Sequence, residues 1–326
     1  MEMRKIIGIL LCLVLCLTPI ETKAKVATTG VDENGNTWVY DKITKTLTFS
    51  GDGNISDFEM DGHSDEPKWY KWSDETEHIV IEDGIKGVGS EAFWGFVNVK
   101  SITMSDTVVQ IGDRAFEDCL SLKNIILSKN LNKIGKSCFE SCESLREITL
   151  PNGLKKVGAF SFCEKLTNIA FPNTITQMEK GILSGNKNLK SVRLPNSITV
   201  INRYDFSNCK KLKKIDIPIS VKTVNMSAFA GAGLKKIVLP KNVVVIKNGD
   251  YGRKVFKHVK GVGYPTKNLR VIEIRSKKLK SIQKNSFSGL SSKVTIKVPK
   301  SKKKKYIKML RKSGLSKKVK IKTLTA

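Results

Sequence analysis

The sequence predicts a repeat solenoid, mainly β with short helical turns, built on a parallel sheet and capped at both ends. Three observations carry this. A phenylalanine recurs at Phe93, Phe116, Phe139, Phe160, Phe206, Phe229, Phe256 and Phe287, with Leu183 standing in once, at steps of 23, 23, 21, 23, 23, 23, 27 and 31 residues. A period in the twenties is the mark of stacked coils. The segments that follow are near-copies, "FEDCLSLKNIILS" from Phe116, "FESCESLREITLP" from Phe139 and "FSNCKKLKKIDIP" from Phe206. Lastly, Pro151, Pro172, Pro195, Pro218, Pro240 and Pro299 each fall directly after the apolar end of a copy, where a residue without an N–H ends ladder pairing.

Taken in chain order, residues 1–24 read as an export signal: basic Arg4 and Lys5, an apolar run from Ile6 to Leu17, Pro19, and small Ala24 as the cleavage point. The run is shorter than the roughly 20 residues that span a bilayer. Leu11 and Leu15 precede Cys12 and Cys16 where a lipid-attachment site needs a small residue, and no LPxTG signal closes the chain. The expectation is a secreted or extracellular protein with no transmembrane segment after signal removal, in the medium or non-covalently associated with the cell wall.

Residues 25–78 break the period. "NTWVYDKITKTLTFSG" alternates on both sides of a polar turn and predicts a β-hairpin closing the first coil.

Residues 79–299 hold about nine coils written "I-G-x-x-A-F-x-x-C-x-x-L-x-x-I-x-L-P", clearest in "IGDRAFEDCLSLKNIIL" from Ile111. Leu145, Ile148 and Leu150 follow the L-x-x-L-x-L rule, with Thr149 facing outward from a short strand. This makes the expected solenoid a leucine-rich-repeat right-handed superhelix, a rod about 40–45 Å long at about 4.8 Å per coil. Ala115, Cys119 and Leu122 lie at i, i+4 and i+7, which predicts one inward side of a helical turn. Gly89, Gly112, Gly135 and Gly158, followed by Asn202 and Asn225, predict a left-handed corner. No coil buries its face alone, so caps are required.

Residues 300–326 predict the second cap: an amphipathic helix from about Ser301 to Lys312, Gly314 after it, and a final strand.

The "IGDRAFEDCLSLKNIIL" unit and the lead-in "KWYKWSDETEHIVIEDGIKGVGSEAF" resemble the BspA-like leucine-rich-repeat family of exported microbial surface proteins, from about Trp38 to Thr323. The resemblance implies a non-enzymatic scaffold for adhesion, with a protein or glycan ligand on host or neighbouring cells as partner. It brings no shared catalytic or ligand residues. The chain departs from the pattern at Leu183 and Asn186, at Ala232, and in the stretched coil "KNGDYGRKVFKHVKGVGYPTKN".

Charge is graded. Residues 25–100 carry 7 basic and 15 acidic side chains, net −8; residues 101–276 carry 30 and 13, net +17; residues 277–326 carry 18 and none. The basic end suits an anionic cell-wall polymer or other polyanion, which supports an alternative, a structural protein retained on the wall by charge. Lys302, Lys303, Lys304 and Lys305 are its candidate contacts, although the same helix also serves as a cap. Trp69, Tyr70 and Trp72, among acidic residues, either stack on a sugar beside a calcium ion or seal the first coil. Tyr251, His258 and Tyr264 in the stretched coil are the other interaction candidates, against a neutral insertion.

Cys119, Cys142, Cys163 and Cys209 share one column, with Cys138 beside them. Export permits disulfides, but small buried thiols filling a narrow interior are the preferred reading. Only His63, His78 and His258 are present, at no zinc-ligand spacing, and no nucleophile elbow, Walker or dinucleotide pattern occurs. No catalytic, cofactor-binding or metal residues are assigned, and no cofactor is expected.

Overall fold

The computed structural model describes residues 27–58, 66–158, 160–248 and 268–325. The export signal, and Tyr251, His258 and Tyr264, lie outside the described residues. The chain winds as a parallel β-solenoid of about 10 turns with little helix.

Most coils contribute to two ladders, where the repeat pattern alone predicts one. The expected ladder, at the Ile-x-Leu end of the unit, runs through His78–Ile81, Ser101–Met104 and Asn124–Ile126, all in parallel register. After residues 146–150, which form no strand, it resumes in Asn168–Ala170 with Ser191–Arg193, and after a second gap at 213–217 in Lys236–Leu239, Val271–Ile274, Thr295–Val298 and Lys320–Thr323. Alternate residues turn inward, so Ile102 and Met104 are buried and Thr103 is exposed. A second ladder of two-residue strands runs along the Ile-Gly column, through Gly87–Val88, Gln110–Ile111, Lys133–Ile134, Lys156–Val157 and Gln177–Met178. Two residues show no usable alternation, which is why periodicity misses this ladder.

Between the ladders, Ala115, Cys119 and Leu122 point inward and are fully buried, as expected. The backbone there is not helical, however. Arg114 at φ 56° and Asp118 at φ 60° flank Phe116, and the same pair recurs as Glu91 with Gly95, Ser137 with Ser141, Gly181 with Gly185, Tyr204 with Asn208, and Asn285 with Gly289. Two left-handed residues within five exclude a right-handed helix, so the segment is a chain of turns. Met226–Phe229 is a 3-10 helix, in a coil that lacks the first left-handed residue.

The glycine column is corrected as well. Gly112 and Gly135 do not have positive φ; their need is proximity. A Cβ on Gly135 would lie 2.3 Å from the carbonyl carbon of Gly112, and one on Gly112 would lie 2.4 Å from the Ser90 nitrogen. The coils touch backbone to backbone at this corner, and Gly135 N donates to Ile111 O at 2.9 Å.

Inside, the phenylalanines form a ladder of stacked rings: Phe93–Phe116 at 5.3 Å, Phe116–Phe139 at 5.7 Å and Phe139–Phe160 at 5.4 Å, all within 7° of parallel. Leu183 interrupts it, and Phe206–Phe229 resumes it at 6.0 Å. The prolines open the next turn. Leu154 N donates to Pro151 O and Ile175 N to Pro172 O, both at 3.2 Å.

At the N-terminal end, β2 (Thr37–Asp41) and β3 (Thr46–Ser50) form the predicted hairpin. Asp41 Oδ1 accepts from Ile43 N and Thr44 N inside its turn. A third strand, β1 (Ala27–Val31), pairs antiparallel with β2, and β3 pairs parallel with His78–Ile81, so the cap continues the first ladder. At the other end, α1 (Lys303–Lys312) follows a 3-10 turn at Lys300–Lys302, and Gly314 has φ 89°. Tyr306 and Leu310 face the last coils and are fully buried. The last strand, Lys320–Thr323, pairs with Thr295–Val298.

Candidate interaction surfaces

The aromatic cluster of the N-terminal cap divides by burial. Trp69 is buried, its Nε1 donates to Ala92 O at 2.9 Å, and its ring packs edge-on against Phe49 at 4.9 Å and Phe58 at 5.1 Å. It seals the first coil and offers no face to a ligand. Tyr70 is half-buried against Phe96. Trp72 stacks on Tyr40 at 4.6 Å and has Lys42 and Lys71 over its ring at 4.8 and 5.4 Å. Burial, then the carboxylate of Glu75, pushes the Tyr40 hydroxyl up to about 12. The cluster is thus a packed lid with two half-buried rings, Tyr70 and Trp72, the second of them covered by two lysines.

The basic cap is organised by Tyr306. Its Oη donates to Ser276 O at 3.1 Å and accepts from Leu279 N at 3.2 Å, pinning α1 on the preceding coil. Lys304 and Lys305 are exposed, while Lys302 and Lys303 are half-buried. Arg311 folds back on the carbonyls of the final loop, donating to Val319 O at 3.0 Å. The predicted lysines therefore share one helical end with the buried capping residues Tyr306 and Leu310.

The thiol column has a role that composition does not reveal. Cys119, Cys142, Cys163 and Cys209 donate from Sγ to the carbonyls of Phe93, Phe116, Phe139 and Leu183, at 3.5, 3.3, 3.1 and 3.2 Å. Asn186, which replaces Cys in the column, donates from Nδ2 to Phe160 O at 2.9 Å. Each side chain thus pairs a buried carbonyl of the coil before it. All five cysteines of the described residues are free and buried, and burial pushes the Cys209 thiol up to about 12.

Outside the core, His78 Nδ1 lies 2.7 Å from Ser101 Oγ. No group of His, Cys, Asp or Glu suited to a metal is found among the described residues, and none of their helices is long and apolar enough to cross a membrane.

The sheet face is the largest regular surface. A cation leads into the strand on most coils: Lys100, Lys123, Arg146, Lys190, Lys213, Lys235 and Arg270 are all exposed. Their backbones stack directly, Lys123 N donating to Lys100 O at 3.0 Å and Arg270 N to Lys235 O at 2.9 Å. The first of these cations is neutralised: Lys45 and Lys100 both bind Glu77, and those two bonds, led by Lys100, hold its carboxyl down at about 2. On the later coils Glu273 is a buried carboxylate that takes Lys236 at 2.8 Å, Arg275 at 3.1 Å and Lys297 at 4.0 Å. Burial opposes its ionisation, but the bonds from Lys236 and Arg275 keep it below the usual range. This basic column is visible in the sequence as the residue after each "L" of "SLK", "SLR", "NLK" and "GLK"; the pairing of Lys100 with Glu77 is not.

Two stacked ladders, a stacked-ring core and an exposed, non-repeating outer face define the class: a leucine-rich-repeat solenoid. The chain belongs to the BspA type Leucine rich repeat region family, which matches it in six copies over residues 66–162, 156–258 and 263–325. It is similar in fold to the leucine-rich repeat protein of Bacteroides ovatus, with 23% identity, 91% of this chain and 77% of that one covered, and a TM-score of 0.61. It is likewise similar to the leucine-rich repeat protein of Eubacterium ventriosum, with 22% identity, 83% and 84% covered, and a TM-score of 0.54. Among curated proteins, no relative matches.

Proposed function

We propose that the protein is an exported, non-enzymatic scaffold that binds a protein or glycan partner at the cell surface or in the medium. One observation carries the reading. The repeated positions, Phe, Cys, Leu and Ile, are all consumed in packing coil on coil, whereas the outward residues of the long ladder differ from coil to coil. Such a surface is selected residue by residue for contact. Family membership supports the same reading, as do the basic start and the apolar run Ile6 to Leu17 within residues 1–24 for export.

Retention on an anionic wall polymer is the second reading, favoured by 18 basic and no acidic residues over 277–326 and by the exposure of Lys304 and Lys305. The protein starting at residue 25 is presented to matrix proteins and to purified cell walls over a salt series, beside Lys304→Glu/Lys305→Glu. Salt-resistant matrix binding that the double variant retains supports the scaffold. Wall binding that is lost in moderate salt and in the double variant supports charge retention. Binding to neither surface overturns both.

A further inference from the structure

The Ile-x-Leu ladder is interrupted at residues 146–150 and again, late in the solenoid, at residues 213–217. Asn168–Ala170 pairs with Ser191–Arg193, and Lys236–Leu239 pairs onward to the C-terminal strand, but residues 213–217 between them form no strand with either side. A groove of about 430 Å³ lies at this interruption. Its floor is apolar, with Ile217, Ile219, Val238 and Pro240, and Ile219 is 57% exposed. Its rim is cationic, with Lys213, Lys214, Lys236, Lys241 and Arg275.

The rim charge is not cancelled. Asp216, the one carboxylate of the lining, sits 3.0 Å from Lys214, but both side chains are 81% exposed and the pair is solvated. Glu273 alongside fixes Lys236 and Arg275 rather than neutralising the rim. Five cations against Asp216 and Glu273 leave a net charge of +3 around an exposed apolar floor.

We propose that this groove docks an extended acidic segment of a partner protein. An extended chain turns alternate side chains to opposite sides, so apolar residues meet Ile217, Ile219 and Val238 while the intervening carboxylates reach the lysine rim. A hydrophilic polyanion leaves the apolar floor in water, and single-stranded nucleic acid needs aromatic platforms, of which the lining has none. The inference rests on the scaffold reading and names its contact point.

The test uses the full chain and a fluorescent peptide of alternating Glu and Val, followed by anisotropy, with an all-Glu peptide and inorganic polyphosphate as competitors. Ile219→Asp and Lys213→Glu/Lys241→Glu change exposed side chains, and Lys304→Glu/Lys305→Glu serves as a control away from the groove. Expected are binding of the alternating peptide, a loss of about tenfold or more in each groove variant, and no change in the control. Both competitors should be at least about tenfold weaker than the alternating peptide. Absence of peptide binding, equal binding by the all-Glu peptide or polyphosphate, or insensitivity to Ile219→Asp overturns the proposal. Matrix adhesion that Ile219→Asp leaves intact sinks the groove alone and spares the scaffold reading. Peptide binding in a protein that adheres to nothing does the reverse.

Discussion

Asp205 stands in the column where other coils place Ala92, Ala115 and Ala228. It is buried, and accepts from Gly181 N at 3.1 Å and Asn202 N at 2.6 Å. Burial outweighs these bonds and pushes its carboxyl up to about 7. A native pKa above the unfolded value means that the folded state holds the proton longer. Its contribution is therefore fully present below about pH 4 and is lost as pH rises through about 7. Urea unfolding at pH 5 and pH 8 should show less stability at the higher pH from this group, and Asp205→Asn should flatten that difference; an unchanged profile in the variant refutes it. The thiol column makes a second residue-scale prediction. Because Cys119, Cys142, Cys163 and Cys209 are buried and their thiolates disfavoured, alkylating reagents should leave them unmodified in the native protein and label them only on unfolding. Labelling without unfolding would contradict the packing described.

Elements are joined by contacts that leave no slack. Gly135→Ala sets a methyl against the Gly112 carbonyl and the Asp113 nitrogen of the preceding coil, so the coils must separate, and a loss of about 1–3 kcal/mol in urea unfolding is expected. Wild-type stability in this variant would mean that the corner can relax. The N-terminal lid depends on Trp69, which binds Ala92 O and packs three rings. Trp69→Ala should cost about 3–5 kcal/mol and should show first as lost amide protection in His78–Ile81 and Ser101–Met104, with the strands near Lys320 unaffected. Uniform loss along the rod would argue instead for a single cooperative unit.

The whole molecule is a stack in which each coil touches only its neighbours, with polarity of charge along its axis. Its stability is the sum of coil and interface terms, and its surface runs from net −8 over residues 25–100 to +18 over residues 277–326. On the acidic side local pairs absorb much of the charge: Glu77 takes two lysines, and Arg114 takes Glu91 and Glu117. On the basic side the six lysines and arginines of α1 have no acidic neighbour in sequence. Removing that repulsion with salt should raise the midpoint of urea unfolding at neutral pH, most clearly for the C-terminal coils. A fall with added sodium chloride would show that the paired acids, rather than the unpaired bases, govern the balance.

By itself the sequence determined the coil, its period, the inward columns, the hairpin and the helix-strand cap, because burial of a fixed column leaves a periodic record. Phe116, Cys119, Leu122 and Ile148 announce themselves, since a polar residue there is lost with the core. The nature of the corner was not legible: Gly112 and Gly135 read as conformational glycines, while the structure uses them for contact between coils far apart in sequence. The second ladder escaped because its strands are two residues long, and β1 because its edge position buries little. Trp69 and Trp72 looked alike in sequence, and only tertiary structure separated the buried seal from the half-open ring. Only tertiary structure, too, could bring Lys213, Ile219, Lys241 and Arg275 to one groove. A surface site is built from outward residues of successive coils, and those positions carry no periodic constraint to read.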